Sequence, residues 1–146
     1  MNSIEERLKA IENENQIRAL TNSFADICIS GNVQCFEALW IEDSTWTLAE
    51  PMNLESKGRD GMAKLFIKLA TGKRFFSQKL HSGIIKISGE TATARWILSE
   101  NAANQDGSLY QSTAIYEDRI VFEGGRWLFQ ARHCKFLDIA LSENKS

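Results

Sequence analysis

Ser88-Gly89-Glu90-Thr91-Ala92-Thr93-Ala94-Arg95-Trp96-Ile97-Leu98-Ser99-Glu100 is the stretch that decides the fold. It opens on a turn signal and then alternates with the period of a strand. Ala92, Ala94, Trp96, Leu98 and Glu100 fall on one face, and Thr91, Thr93, Arg95, Ile97 and Ser99 on the other. The first set is the better pocket wall, because two alanines leave room, Trp96 is a flat apolar surface and Glu100 ends it. Working outward, the runs Leu80–Ile87, Thr91–Asn101, Leu109–Phe122 and Arg126–Asp138 are rich in β-branched and aromatic residues. Ser88-Gly89-Glu90, Gln105-Asp106-Gly107 and Glu123-Gly124-Gly125 separate them as hairpin turns, so the second half is a meander of long antiparallel strands.

The first half has the helical period. Ser3 and Glu6 form an S-x-x-E capping signature, and Ile4, Leu8, Ile11, Ile17, Leu20, Phe24 and Ile27 follow at helical spacings until Gly31. A short helix is expected from about Val33 to Trp40, an extended segment over Ser44–Ala49, and a loop from Pro51 to Gly58. A third helix is expected over Met62 to Ala70 with Asp60 as its N-cap. Helices first and a meander after predict an α+β fold, with three N-terminal helices covering one face of a strongly curved antiparallel sheet. Residues 1–146 are read as one domain, with a polar tail over 142–146 that frays.

Composition narrows the function classes. With 43% hydrophobic residues the chain can bury a real core, and a net charge of −2 disfavours nucleic acid or an anionic membrane as the main partner. No apolar run approaches the roughly 20 residues needed to span a bilayer, and the charged start does not read as a signal peptide. Cys28, Cys35 and Cys134 are odd in number and lack a CxxC spacing, which fits reduced thiols in the cytoplasm. Neither metal-ligand spacing nor a phosphate loop is found, so no metal and no other cofactor is expected.

With these elements in order, the chain resembles the SnoaL-like group of the nuclear-transport-factor-2-like superfamily. The resemblance is carried by Phe24-Ala25-Asp26 with Gly31, and by Leu39-Trp40-x-x-Asp43-x-x-Trp46-Thr47-Leu48. Gly58-Arg59-Asp60-Gly61, Leu80-His81-Ser82-Gly83 and the Gly89–Trp96 segment follow, then Tyr116-Glu117-Asp118 and Gly125-Arg126-Trp127-x-Phe129-x-x-Arg132. It implies a cone made by a bent sheet closed by three helices, with a hydrophobic pocket inside, and a homodimer. Members include dehydratases, cyclases, isomerases, a dehydrochlorinase, epoxide hydrolases and non-catalytic binding domains, so the fold alone does not decide function.

In dehydrochlorinase-like and dehydratase-like members a helix Asp and a strand His form the proton-abstracting pair, which maps onto Asp26 and His81; a shifted register puts Gln78 at the histidine position instead. Scytalone-dehydratase-like members carry their acid where Ile29 stands and a second His near Trp96, so the chain departs from that pattern. Bile-acid-dehydratase-like members carry an acid four residues after the Arg-Trp tryptophan, where Glu100 stands.

The residues point the same way. Asp26 and His81 each sit among apolar neighbours, and joined they make a carboxylate-oriented imidazole suited to removing a proton at neutral pH. Outside a site, Asp26 is a surface acid and His81 a core or solvent-facing histidine. Glu100 is either a second acid or a charge on the rim. Phe24, Trp46, Trp96, Leu98 and Tyr116 are expected to line the pocket, with Tyr116 also able to donate to an oxyanion. Asp118 and Arg132 are expected to pair across adjacent strands. The expectation is a cofactor-independent lyase or isomerase for a small hydrophobic ring compound. Its rival is a non-catalytic small-molecule-binding or dimerisation domain with the same apolar pocket. A water-activating hydrolase ranks last, for want of an Asp-Arg-Asp arrangement.

Overall fold

The computed structural model describes residues 3–142. Of the tail expected to fray, residues 143–146 lie outside this range, while Ser142 is the last residue of a strand. Three helices come early: α1 (Ile4–Ser30), α2 (Val33–Glu37) and α3 (Gly58–Ala70). Six strands make one sheet: β1 (Trp40–Leu48), β2 (Leu54–Lys57), β3 (Lys73–Ser88), β4 (Thr91–Asn104), β5 (Leu109–Glu123) and β6 (Arg126–Ser142). Their order is β2-β1-β6-β5-β4-β3, antiparallel throughout except that β1 runs parallel to β6. The α+β class, the early helices and the curved sheet are as expected; the sheet is open, with β2 and β3 at its edges.

The Ser3 hydroxyl accepts from the Glu6 N–H at 3.1 Å to start α1, and Gly31 ends it in the left-handed region at φ 76°. One helix therefore runs unbroken for 27 residues, about 40 Å at 1.5 Å per residue. Several boundaries differ from expectation. The second helix stops at Glu37, because Trp40 already belongs to β1. Residues 54–57, expected in a loop, pair with 45–48 as an edge strand. The third helix starts at Gly58 with Lys57 as an N-cap that makes no side-chain bond, and Asp60 lies in the first turn instead.

Strand β3 starts at Lys73, seven residues before the apolar run that announced it. Its first half pairs with the end of β4, bringing Gln78 opposite Glu100. Register shifts interrupt the ladders at Leu80/Ser82, Thr113/Ala114 and Arg119/Ile120. Such bulges bend and twist a sheet, and here they curl it around α1. The Gly124-Gly125 turn between β5 and β6 has positive φ at both residues, 61° and 84°, as a tight two-residue hairpin demands.

The concave face holds an aromatic core. Phe24, fully buried on α1, lies at ring-centroid distances of 5.2 Å from Phe36, 5.8 Å from Trp46, 5.6 Å from Tyr116 and 5.9 Å from Phe129. Burial changes along the cone. Phe76 and Leu80 on β3, Tyr110 on β5, and Phe136 and Ile139 on β6 are half-buried, whereas Trp96, Tyr116 and Arg132 further along are buried. Half-buried side chains thus border the end that carries the buried Gln78, Glu100 and Ser112.

Candidate active site

The floor of the cone is an ion pair. Asp118 and Arg132 face each other across β5 and β6, and both side chains have no exposed surface. Arg132 Nε donates to Asp118 Oδ1 at 2.9 Å, and Nη2 donates to Asp118 Oδ2 at 3.2 Å and to Thr21 Oγ1 at 2.6 Å. Trp96 Nε1 donates to Asp118 Oδ2 at 2.8 Å. The guanidinium also sits 3.8 Å from the Tyr116 ring centre, 4.3 Å from Phe24 and 4.4 Å from Phe129. A planar, weakly hydrated cation suits such a cage. The expected cross-strand pair is present, and it leaves Arg132 Nη1 buried without a hydrogen-bond partner among the described residues.

Further along the same face is a second polar group, built around Glu100. Gln78, Glu100 and Ser112 form one row across β3, β4 and β5. The Glu100 side chain accepts from Gln78 Nε2 at 2.7 Å, Ser112 Oγ at 2.7 Å and Tyr110 Oη at 3.1 Å. Gln78 Nε2 also donates to Tyr116 Oη at 2.6 Å, spending its second hydrogen. Gln78, Glu100 and Ser112 are all buried, and three neutral donors solvate a carboxylate that makes no ion pair among the described residues. Glu100 is therefore part of an interior network, which corrects the rim alternative.

The remaining sequence candidates separate. Trp46, Trp96, Leu98, Tyr116 and Phe24 all face the interior and are buried in the shared core, with Phe24 in ring contact with both Trp46 and Tyr116. Asp26 is exposed and makes no side-chain hydrogen bond or ion pair among the described residues. At 100° per residue it lies about 200° around α1 from Phe24, whose face carries Ile17, Leu20 and Thr21 into the core. His81 is exposed as well, with its Nε2 against Ser99 Oγ. Counting back by twos from Ile87 and Ile85 puts His81 inside, but it is the extra residue of the bulge between Leu80 and Ser82. Gln78 and Leu80 face inward before the bulge, Gly83, Ile85 and Ile87 after it, and the histidine is turned out. No hydrogen bond or ion pair joins Asp26 to His81, so the expected dyad is not assembled.

Tyr110 and Ser112 escaped the sequence reading, although counting back by twos from Tyr116 reaches both. Gln78 entered only as an alternative to the histidine, since its strand was not expected to begin before Leu80. On the opposite, outer face of the sheet lies a groove of about 500 Å³, bordered by Ile84, Lys86, Arg95, Arg119 and His133. It is remote from Glu100 because these residues have the outward parity of their strands.

Several groups around Glu100 are kept in their neutral forms. Burial, and then the Glu100 charge, push the Cys28 thiol from its ordinary 9.0 up to about 12. Burial is also the main cause that raises the Cys134 thiol and the Tyr110 and Tyr116 phenols. Each group binds its proton more tightly in the folded chain, so its stabilising contribution is complete below the ordinary value and is lost as pH rises toward the folded one. The thermal midpoint is thus expected to hold steady up to about pH 9 and then fall, more shallowly in Cys28→Ala. Melting by circular dichroism between pH 7 and 11 measures this; a Cys28→Ala curve parallel to wild type would remove the thiol from the account.

An α+β fold with a bent six-stranded sheet around a long helix is shared with solved proteins of the nuclear-transport-factor-2-like fold. The chain belongs to the SnoaL-like domain family, which matches residues 9–133. No curated protein matches it by sequence. Among solved structures it is similar to a putative aromatic ring hydroxylase from Novosphingobium aromaticivorans, at 18% identity and TM-score 0.84 over 92% of this chain and 94% of that one. A putative scytalone dehydratase from the same organism aligns at 17% identity and TM-score 0.84, covering 94% and 92%. A hexachlorocyclohexane dehydrochlorinase (LinA) of type 2 aligns at 13% identity and TM-score 0.86, covering 94% of each chain. At these identities the likeness is one of fold.

Proposed function

We propose that the chain is a cofactor-independent lyase or isomerase, dehydratase- or cyclase-like, that acts on a small hydrophobic ring compound with Glu100 as its proton-transferring group. The observation that carries this is the buried Glu100 carboxylate, held by Gln78, Ser112 and Tyr110 and in no ion pair among the described residues. A carboxylate bound by an arginine is committed to that partner; one held by neutral donors in an apolar cone stays available to take a proton from carbon. Tyr116, whose phenol stays protonated, can donate to the oxygen that departs or gains charge. The proton then returns from Glu100 to the leaving hydroxyl, releasing water, or to another carbon, giving an isomer. Neighbours named for a dehydratase and a dehydrochlorinase support the same class of chemistry.

The test is a product screen on ring-containing hydroxyl and keto compounds. Once a substrate is found, Glu100→Gln is expected to lower kcat about 10²- to 10⁴-fold with binding retained. Full activity in that variant would exclude Glu100 as the acid–base group. A non-catalytic binding domain is the second reading, favoured by the mutual ring contacts that fill the cone around Phe24. In that case no compound turns over, and affinity for an apolar ring compound falls on Trp96→Ala.

A further inference from the structure

Two polar functions beside Glu100 are left over once its network is complete, and they are of opposite kind. Gln78 gives both amide hydrogens away, one to Glu100 Oε2 and one to Tyr116 Oη, while its own Oε1 is buried without a partner among the described residues. Tyr116 Oη accepts from that amide, and among the described residues no acceptor takes the phenol's hydrogen. The alternative amide orientation does not remove the problem. It sets Gln78 Oε1 against the Glu100 carboxylate and leaves two buried N–H groups unpaired, a costlier orphan than one carbonyl. A buried acceptor and a buried donor held by the same amide–phenol contact thus await one group that gives one hydrogen bond and takes another.

We propose that Gln78 and Tyr116 form a recognition subsite for a neutral hydroxyl group of the ligand, which donates to Gln78 Oε1 and accepts from the Tyr116 phenol. A ketone or an ether supplies only an acceptor and leaves Gln78 Oε1 unpaired. A carboxylate supplies no hydrogen and would stand beside the charge of Glu100. The half-buried Phe76, Leu80, Tyr110 and Phe136 border this end of the sheet, and a ligand would reach the two groups from that side. This assignment rests on the Glu100 site proposed above and narrows it to alcohols, and so toward dehydration rather than isomerisation of a ketone.

The test uses three probes of one shape: 1-indanol, 1-indanone and 1-methoxyindane, titrated into the wild-type protein and followed by NMR. Indanol is expected to bind about tenfold or more tightly than either of the others, since a site built around a hydroxyl penalises an analogue that leaves a buried partner unpaired. The Gln78 side-chain amide signals should move with indanol and stay still with the ether. In Tyr116→Phe, which removes the phenol donor and also the acceptor of one Gln78 N–H, the preference should fall to about twofold. Equal binding of the three probes, an unmoved Gln78 amide, a preference unchanged in Tyr116→Phe, or no binding of any probe at about 10 mM would each overturn the subsite. Failure here is separable from failure of the catalytic role. Turnover that depends on Glu100 without alcohol preference removes only the subsite, whereas alcohol preference with no turnover removes only the catalysis.

Discussion

Replacing Arg132 by Met is expected to cost the fold about 3–5 kcal/mol, a large share of the stability of a domain this size. The side chain lies fully inside the cone, and its removal strands Asp118 at the centre of the molecule. Burial already pushes the Asp118 carboxyl up, and the Arg132 guanidinium is the main force opposing it. Without that guanidinium the carboxyl keeps, among the described residues, the Trp96 N–H as its one neutral donor. The cation also fills the space between Tyr116, Phe24 and Phe129, so packing is lost with the charge. Urea unfolding measures the loss. The double variant Asp118→Leu/Arg132→Met should recover much of it, because two apolar side chains of similar size often replace a buried pair without penalty. A single Arg132→Met variant within about 1 kcal/mol of wild type would show that the pair contributes little.

Gly83→Ala is expected to be nearly as damaging, by about 3 kcal/mol, although it adds one methyl group to a strand. A Cβ at this position would stand 2.1 Å from Trp96 Cε3 and 2.3 Å from Cζ3. The neighbour in the way is a rigid ring, anchored on one side by its N–H bond to Asp118 and flanked by the Arg18 guanidinium, 5.8 Å from its centre. To admit the methyl group either the ring turns and drops that bond, or β3 moves off β4. Urea unfolding gives the magnitude, and near-ultraviolet circular dichroism reports the tryptophan environment. A loss below about 0.5 kcal/mol, with the tryptophan signal intact, would mean that the Trp96 ring does not lie over Gly83.

These residues show where the sequence was legible. Alternation placed Trp96, Leu98 and Glu100 on one face of β4 correctly, because a strand's period needs no tertiary information. The Ser3 cap, the Gly31 stop and the Gly124-Gly125 turn were legible for the same reason: each is a local answer to a local backbone demand. The start of β3 was hidden because Lys73-Arg74-Phe75-Phe76-Ser77-Gln78-Lys79 lacks a clean apolar alternation. That stretch is extended because β4 is there to pair with it. The parallel pairing of β1 with β6 is a contact between residues more than 80 positions apart, and no local pattern encodes it.

The candidate site divides along the same line. By itself the sequence determined an α+β chain with a polar residue, Glu100, ending the inward face of its most regular strand, and with Asp118 and Arg132 suited to pair. Only the tertiary structure decided which polar groups meet. The pitch of α1 turns Asp26 to solvent, one extra residue at Leu80/Ser82 turns His81 outward, and the register of three strands assembles Gln78, Glu100 and Ser112 in a row. The physical reason is that periodicity assigns a side chain to a face, while bulges and register, set by the whole sheet closing around α1, assign it to a neighbour.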